Sequence, residues 1–163
     1  MTEVRKEFLV FALKVVLLTC LLGVAIDAVT ANVAVQYFTV HHPHVVDSDS
    51  PWVMALVWGV GASWWFGLIA AVLLWWVNQR RTEPLAANRV VRMIPPALVA
   101  IWLTMMLVMG GVFAISSTVP ADRRVKTFES DRRLMAVAIA HATEYVLGGI
   151  VVLVLLRQVA KAK

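Results

Sequence analysis

An otherwise apolar stretch near the C-terminal end, RRLMAVAIAHATEYVLGGIVVLVLL (residues 132–156), carries His141 and Glu144 near its centre. Both side chains do acid–base or ligand chemistry, and at a spacing of three residues they share one helical face. Glu144 also lies on a line of small residues that recur at every fourth position: Ala136, Ala140 and Gly148. An ionised carboxylate facing lipid is costly, and such groups turn towards protein partners. The pattern therefore predicts that Glu144 and His141 face a neighbouring helix.

The first apolar run offers matching groups. Its polar residues fall within roughly 100° of one another on a helix of 100° per residue. These are Asp27, Thr30, Tyr37 and His41, with Ala34 on the same line. The line leads into the loop HHPHVVDSDSP (residues 41–51), which adds His42, His44, Asp47 and Asp49. Neutral imidazole and carboxylate groups are the usual protein ligands of Zn²⁺, Cu²⁺ and Fe²⁺.

These two regions together predict a divalent transition-metal site, outward-facing, between the first and fourth helices. Its candidate ligands are Asp27, His41, His42, His44, His141 and Glu144. The spacing is not diagnostic, since H-x-x-E reverses the E-x-x-H order of di-metal bundles and occurs once where two copies are expected. Three simpler readings stay open: a solvated His-rich turn, a hydrogen-bonded pair joining two helices, and an interfacial Asp27 in water.

The same residues suit other chemistries less well. Counting inward from Arg133, His141 lies about 12 Å deep and Glu144 about 16 Å. The other histidines lie further out, so haem, which needs two imidazoles at comparable depth, is disfavoured. A proton or ion pathway using Asp27, Tyr37, His141 and Glu144 is a further alternative. The chain has no P-loop, G-x-G-x-x-G or C-x-x-C motif, and no catalytic residue is assigned.

The elements that position these groups follow from composition. Of the 163 residues, 61% are hydrophobic, more than the half or so of a soluble domain, and they concentrate in four long runs. Each run reaches the ~20 residues needed to cross a bilayer, and backbone in lipid must satisfy its own hydrogen bonds as helix. The sequence therefore predicts an all-α integral membrane protein, one four-helix domain over residues 1–163. The predicted helices are approximately 8–38, 52–77, 95–117 and 133–156.

Charge sets the expected orientation. The net charge is +5, but the basic residues lie at segment ends, a distribution that fits membrane topology rather than nucleic-acid binding. With the N-terminus inside, nine Lys and Arg residues are cytoplasmic and five lie in the outer connection between the third and fourth helices, while the first outer loop has none. This favours both termini in the cytoplasm, which means the inner membrane if the protein is bacterial.

The first run is longer than one crossing requires, since 31 residues make a helix of about 46 Å. If residues 8–28 span the bilayer, Asp27 lies at the outer interface. If Lys14 snorkels inward and residues 15–38 span it, Asp27 lies near mid-membrane. The sequence leaves both placements open.

The second run carries a stripe of small residues that indicates close helix packing. The small-residue stripe consists of Ala55, Gly59, Ser63, Gly67 and Ala71. Its partner is another helix of this chain or a second chain, so a homo-oligomer or a larger membrane complex is a further expectation. An accessory subunit without chemistry, docking through this stripe, is therefore the alternative to a metal-binding protein.

Overall fold

A computed structural model describes residues 2–118 and 132–162, and of residues 116–118 it describes the backbone only. The described residues form six helices and no strand. They are α1 (Glu3–Val33), α2 (Gln36–Thr39), α3 (Pro51–Gln79), α4 (Ala87–Arg92), α5 (Ile94–Thr118) and α6 (Arg132–Lys161). Most of the basic connection between α5 and α6, on which part of the orientation argument depends, lies outside the described residues.

The predicted all-helical architecture is confirmed. Four helices are long and apolar enough to cross a membrane, and each overlaps one of the four predicted runs. Leu13, Leu17 and Leu21 follow one line on α1, and each is more than half exposed. A row of exposed leucines suits lipid rather than water, which indicates a membrane-embedded bundle. The side of the membrane that each terminus faces stays a prediction.

The first predicted helix is divided. Instead of continuing to residue 38, α1 ends at Val33, and Ala34 adopts φ −150° and ψ 82°, which is not helical. The chain then makes the short helix α2 before the loop that precedes α3. Hydropathy cannot report this break, because the residues on both sides of it remain largely apolar. The separate helix α4 was not predicted either, since its sequence ANRVVR is too polar to stand out as a span.

The bundle consists of two helix pairs. α1 packs along α3, and α5 packs along α6. The small-residue stripe of α3 faces α1: a Cβ added at Gly59 would lie 2.6 Å from the backbone N and Cα of Val24. Only glycine permits this approach of two backbones. The stripe therefore has its packing partner within this chain, and association with other chains stays a prediction.

Polar contacts tie the two pairs together at the end of the bundle remote from the His-rich loop. Arg81, just after α3, donates hydrogen bonds to the carbonyls of Val159 (2.6 Å), Ala160 (3.1 Å) and Ala162 (2.6 Å). These carbonyls belong to the last turn of α6 and the residue after it, where backbone acceptors lack partners within the helix. The guanidinium group also complements the negative end of the helix dipole. Arg81 thus fixes α6 relative to the α1–α3 pair.

Candidate functional site

Three titratable side chains meet where the two helix pairs face each other. His141 Nε2 lies 3.5 Å from Asp27 Oδ1, and His141 Nδ1 lies 3.4 Å from Glu144 Oε2. The exposed fractions of the side chains are 6% for Asp27, 8% for His141 and 18% for Glu144. We call these residues the buried triad. One imidazole ring therefore stands between two carboxyl groups, each facing a different ring nitrogen.

The triad residues lie on the faces of α1 and α6 that pack against other helices. Asp27 lies on the inner face of α1 and is only 4% exposed, so its carboxyl group is buried in protein rather than solvated by water. Its depth in the membrane stays a prediction. On α6, Ala136, Ala140 and Gly148 are buried, and they turn Glu144 towards the interior as predicted. His141, one turn from Glu144, reaches across to α1.

Thr30 also contacts the imidazole. The Thr30 hydroxyl donates to the Ile26 carbonyl at 3.2 Å, and its oxygen lies 3.3 Å from His141 Nε2. Nε2 donates to the Thr30 oxygen or accepts from its hydroxyl according to the tautomer of the ring. Nδ1 likewise faces Glu144 as a donor or as an acceptor.

Aromatic rings cover the triad on the side of the His-rich loop. The ring of Tyr37 stacks on His141 with centroids 4.8 Å apart and planes 9° apart. Phe38 meets His141 edge-on at 5.7 Å. His42 lies 4.7 Å from both the Tyr37 and Trp58 rings, and its Nδ1 is 2.7 Å from the Tyr37 carbonyl. This aromatic cover exists because the chain breaks at Ala34 and folds Tyr37 back over α6.

The other predicted ligands lie outside the triad. His42 borders the same cavity as the triad, whereas His41 and His44 are exposed and are not among the described residues that line it. Among the described residues, no group of three or more His, Cys, Asp and Glu side chains is placed to hold a metal ion. A bound Zn²⁺, Cu²⁺ or Fe²⁺ stays a prediction.

A cavity of about 80 Å³ extends from the triad between the two helix pairs. We call it the interhelical cavity. Its polar end is formed by the triad with Tyr37, His42 and Tyr145, and its walls continue past Thr19 and Ser63. The opposite end is apolar and includes Val15, Leu74 and Leu155.

Sequence reasoning missed part of this arrangement. It placed Tyr37 on the continuation of the first helix and gave no role to Phe38 or Trp58. The adjacent aromatic residues Tyr37 and Phe38, beside a histidine-rich loop, were the available signal. Their position over His141 depends on the break at Ala34, which no periodicity shows.

Comparisons with protein-family models, curated proteins and solved structures gave no match for this chain. The fold and the site nevertheless define a class of protein: a four-helix bundle suited to a membrane, with a carboxyl–imidazole–carboxyl cluster at its interior.

Proposed function

We propose that this protein is a membrane-embedded proton-exchange protein in which the buried triad takes up and releases a proton. One observation carries the proposal: each nitrogen of the His141 ring lies within 3.5 Å of a carboxyl oxygen. An imidazole can accept a proton on one nitrogen and release another from the second. Two carboxyl groups at the two nitrogens are the donor and acceptor that such a transfer needs.

The surroundings favour entry of protons from one side. Glu144 is the more exposed carboxyl group of the triad, at 18% against 6% for Asp27, and it borders the interhelical cavity. Towards the Arg81 end the described cavity walls become apolar, with Val15, Leu74 and Leu155. Ionic conduction needs polar groups throughout the hydrocarbon region. A proton-binding site therefore fits these residues better than a continuous proton channel.

Nitrogen NMR of the histidines tests the proposal. The chain has four histidines, so protein labelled with ¹⁵N-histidine gives a small set of signals, and the His141 pair is assigned by its loss in His141→Gln. We expect Asp27→Asn and Glu144→Gln each to change the pH titration of His141. Glu83→Gln, which alters an exposed carboxylate far from the triad, is the matched control. A His141 titration that is identical in all four proteins would refute proton exchange within the triad.

Metal analysis separates this proposal from the predicted metal site. One equivalent of Zn²⁺, Cu²⁺ or Fe²⁺ in the purified protein, lost in both His141→Ala and Glu144→Ala, would replace proton exchange with metal binding. Metal content well below one equivalent, or unchanged by both substitutions, would leave proton exchange as the function. Copurification with one large partner from native membranes would instead support the accessory-subunit alternative.

A further inference from the structure

A second cavity lies at the Arg81 end of the bundle, away from the triad. It is an open cleft of about 470 Å³ between the N-terminal part of α1 and the short helix α4. We call it the α1–α4 cleft. Ligand pockets in proteins usually measure about 300–1,000 Å³, so the cleft has room for a lipid headgroup. Its polar lining consists of Glu3, Lys6, Glu7 and Lys14 from α1 and Asn88 from α4.

Lys14 and Asn88 together form a group of hydrogen-bond donors in this cleft. The Lys14 ammonium group donates to Asn88 Oδ1 at 2.8 Å. Since lysine can only donate, the amide oxygen of Asn88 must face it, and the NH₂ group of Asn88 then points elsewhere. Among the described residues, no carboxylate forms an ion pair with Lys14. The ammonium group keeps two hydrogens for an anion, with the Asn88 NH₂ group beside them.

Glu7 provides the opposite charge on the same face of α1. It lies seven residues before Lys14, so the two side chains follow one line along the helix, about 10 Å apart along its axis. Helical side chains lean towards the N-terminus, which directs Lys14 towards Glu7. Glu3, one turn before Glu7, already pairs with Lys6 at 2.7 Å, whereas no cation of the described residues pairs with Glu7.

The length of α1 places Lys14 at the surface of the membrane. From residue 15 to its end at Val33, the helix is about 28 Å long at 1.5 Å per residue. This length matches the ~30 Å hydrocarbon core of a bilayer. With Lys14 at the level of the lipid phosphates, the remainder of α1 spans the membrane and Glu7 lies among the headgroups.

Leucines continue the same face towards the middle of the membrane. Leu17 and Leu21 lie three and seven residues after Lys14, and they are 53% and 65% exposed. In a membrane-embedded bundle such side chains contact lipid acyl chains. From the N-terminus inward, this face of α1 therefore presents a negative charge, a positive charge and then an apolar surface.

We propose that the α1–α4 cleft and the leucines below it bind one molecule of phosphatidylethanolamine. From the membrane surface inward this lipid has the complementary order: a primary ammonium group, a phosphate and the acyl chains. The phosphate accepts hydrogen bonds from Lys14 and Asn88, and the ammonium group donates to Glu7. Both contacts are charge-assisted hydrogen bonds, which are stronger than neutral ones. An acyl chain lies along Leu17 and Leu21.

The balance of charge in the cleft favours this headgroup over two others. The described lining contains two lysines and two glutamates, so a lipid with a net negative charge gains from Lys14 but is repelled by Glu7. Phosphatidylcholine has both charges, but its methylated ammonium group has no hydrogen to donate. The site does not involve the triad, so it stands or falls independently of proton exchange.

Three lipids with identical palmitoyl and oleoyl chains test the headgroup. Native mass spectrometry of the purified chain, released from detergent micelles, gives the apparent Kd of the first bound phosphatidylethanolamine, phosphatidylcholine or phosphatidylglycerol. We expect phosphatidylethanolamine to bind about threefold or more tightly than either of the others, the scale of exposed ion pairs. Equal binding of all three lipids, or tightest binding of phosphatidylglycerol, would overturn the proposal.

Variants that remove one charge test the position. Lys14→Gln should weaken binding of phosphatidylethanolamine and phosphatidylglycerol alike, by about twofold to fivefold, because both lose a phosphate contact. Glu7→Gln should weaken phosphatidylethanolamine alone, since phosphatidylglycerol has no ammonium group. Arg92→Gln and Glu83→Gln are the matched controls, exposed and outside the cleft lining, and should change neither lipid. A preference for phosphatidylethanolamine that both cleft variants retain in full would contradict the assigned site.

A cross-link locates the headgroup in the wild-type chain, whether or not a variant folds. A water-soluble carbodiimide joins carboxylates to primary amines, and the chain is held in nanodiscs of phosphatidylethanolamine and phosphatidylcholine. Trypsin cleavage leaves Glu7 as the one acidic residue of peptide 7–14, and Glu83 as the one acidic residue of peptide 82–89. We expect the phosphatidylethanolamine adduct mainly on peptide 7–14. Equal adducts on the two peptides, or none on peptide 7–14, would show that the ammonium group does not lie at Glu7.

Discussion

The contact between α1 and α3 differs in kind from the contact between the two helix pairs. In the first, backbone meets backbone: a Cβ at Gly59 would lie 2.6 Å from Val24 Cα. In the second, Gly148 of α6 faces a side chain, and a Cβ there would lie 3.2 Å from the ring edge of Phe66. Gly59 therefore lies at a rigid contact between the backbones of α1 and α3. Gly148 lies at an adaptable contact, in which the facing side chain can adjust.

The triad is assembled across the adaptable contact. Asp27 belongs to the α1–α3 pair, whereas His141 and Glu144 belong to α6. Small-residue packing needs close, fixed backbones, while a cavity and a hydrogen-bonded cluster need space between helices. The molecule separates these requirements: α1 and α3 form the rigid support, and the opening against α6 contains the chemistry.

The largest expected effect tests the rigid contact. Gly59→Ala places a methyl group against the backbone of Gly23 and Val24, which cannot move aside without separating α1 from α3. We expect a loss of about 3 kcal/mol in stability, at the upper end for overpacking of a core. Thermal unfolding in detergent, followed by circular dichroism, measures it.

Gly61→Ala is the matched control, because a Cβ at Gly61 meets nothing within 4 Å. It adds the same methyl group to the same helix and should unfold at or above the wild-type temperature, since alanine favours helix over glycine. If the two variants unfold at the same temperature, the α1–α3 interface is not the rigid contact that we describe.

The next effect tests the triad. His141→Phe keeps an aromatic ring against Tyr37 but removes both hydrogen-bonding nitrogens, which leaves Asp27 buried without its imidazole partner. We expect a destabilisation of about 2 kcal/mol, typical of a buried polar group that has lost its partner. The same unfolding measurement applies.

Adding Asp27→Leu to His141→Phe should restore most of that loss, because apolar groups replace both partners. A double variant as unstable as the sum of the two single variants would show that Asp27 and His141 do not interact.

A smaller effect is expected at the far end of the bundle. Arg81→Gln removes the guanidinium group that holds the carbonyls at the end of α6, in a partly exposed setting. We expect a loss of about 1 kcal/mol and faster amide hydrogen exchange in the last turn of α6. Arg80→Gln is the control: its guanidinium group lies over Trp76 at 4.1 Å rather than on α6. Equal amide hydrogen exchange in the two variants would show that Arg81 does not hold the two helix pairs together.

Sequence reasoning predicted the helices better than the connections between them. The four spans followed from hydropathy, because lipid demands long apolar helices. The inward direction of Glu144 followed from the small residues Ala136, Ala140 and Gly148. The break at Ala34 and helix α4 were missed, since tertiary contacts rather than local pattern decide them.

The site was predicted in its central part only. The sequence predicted that Asp27, His141 and Glu144 converge. The prediction followed from their position on the same side of the membrane and from the cost of burying an unpaired charge. His42 borders the cavity, whereas His41 and His44 do not. This difference depends on how the chain turns between Ala34 and Pro51. Whether three such groups hold a metal or a proton depends on distances of a few ångströms, which no one-dimensional pattern contains.

The smallest effect completes the comparison of the two contacts. Gly148→Ala makes the same chemical change as Gly59→Ala, but the new methyl group meets the ring edge of Phe66, which can move by a few tenths of an ångström. The gain in helix propensity, up to about 1 kcal/mol, should offset this contact, so we expect stability within about 0.5 kcal/mol of wild type. Thermal unfolding of the two glycine variants side by side measures the difference. If Gly148→Ala destabilises as much as Gly59→Ala, the contact of α6 with α3 is as rigid as that of α1 with α3.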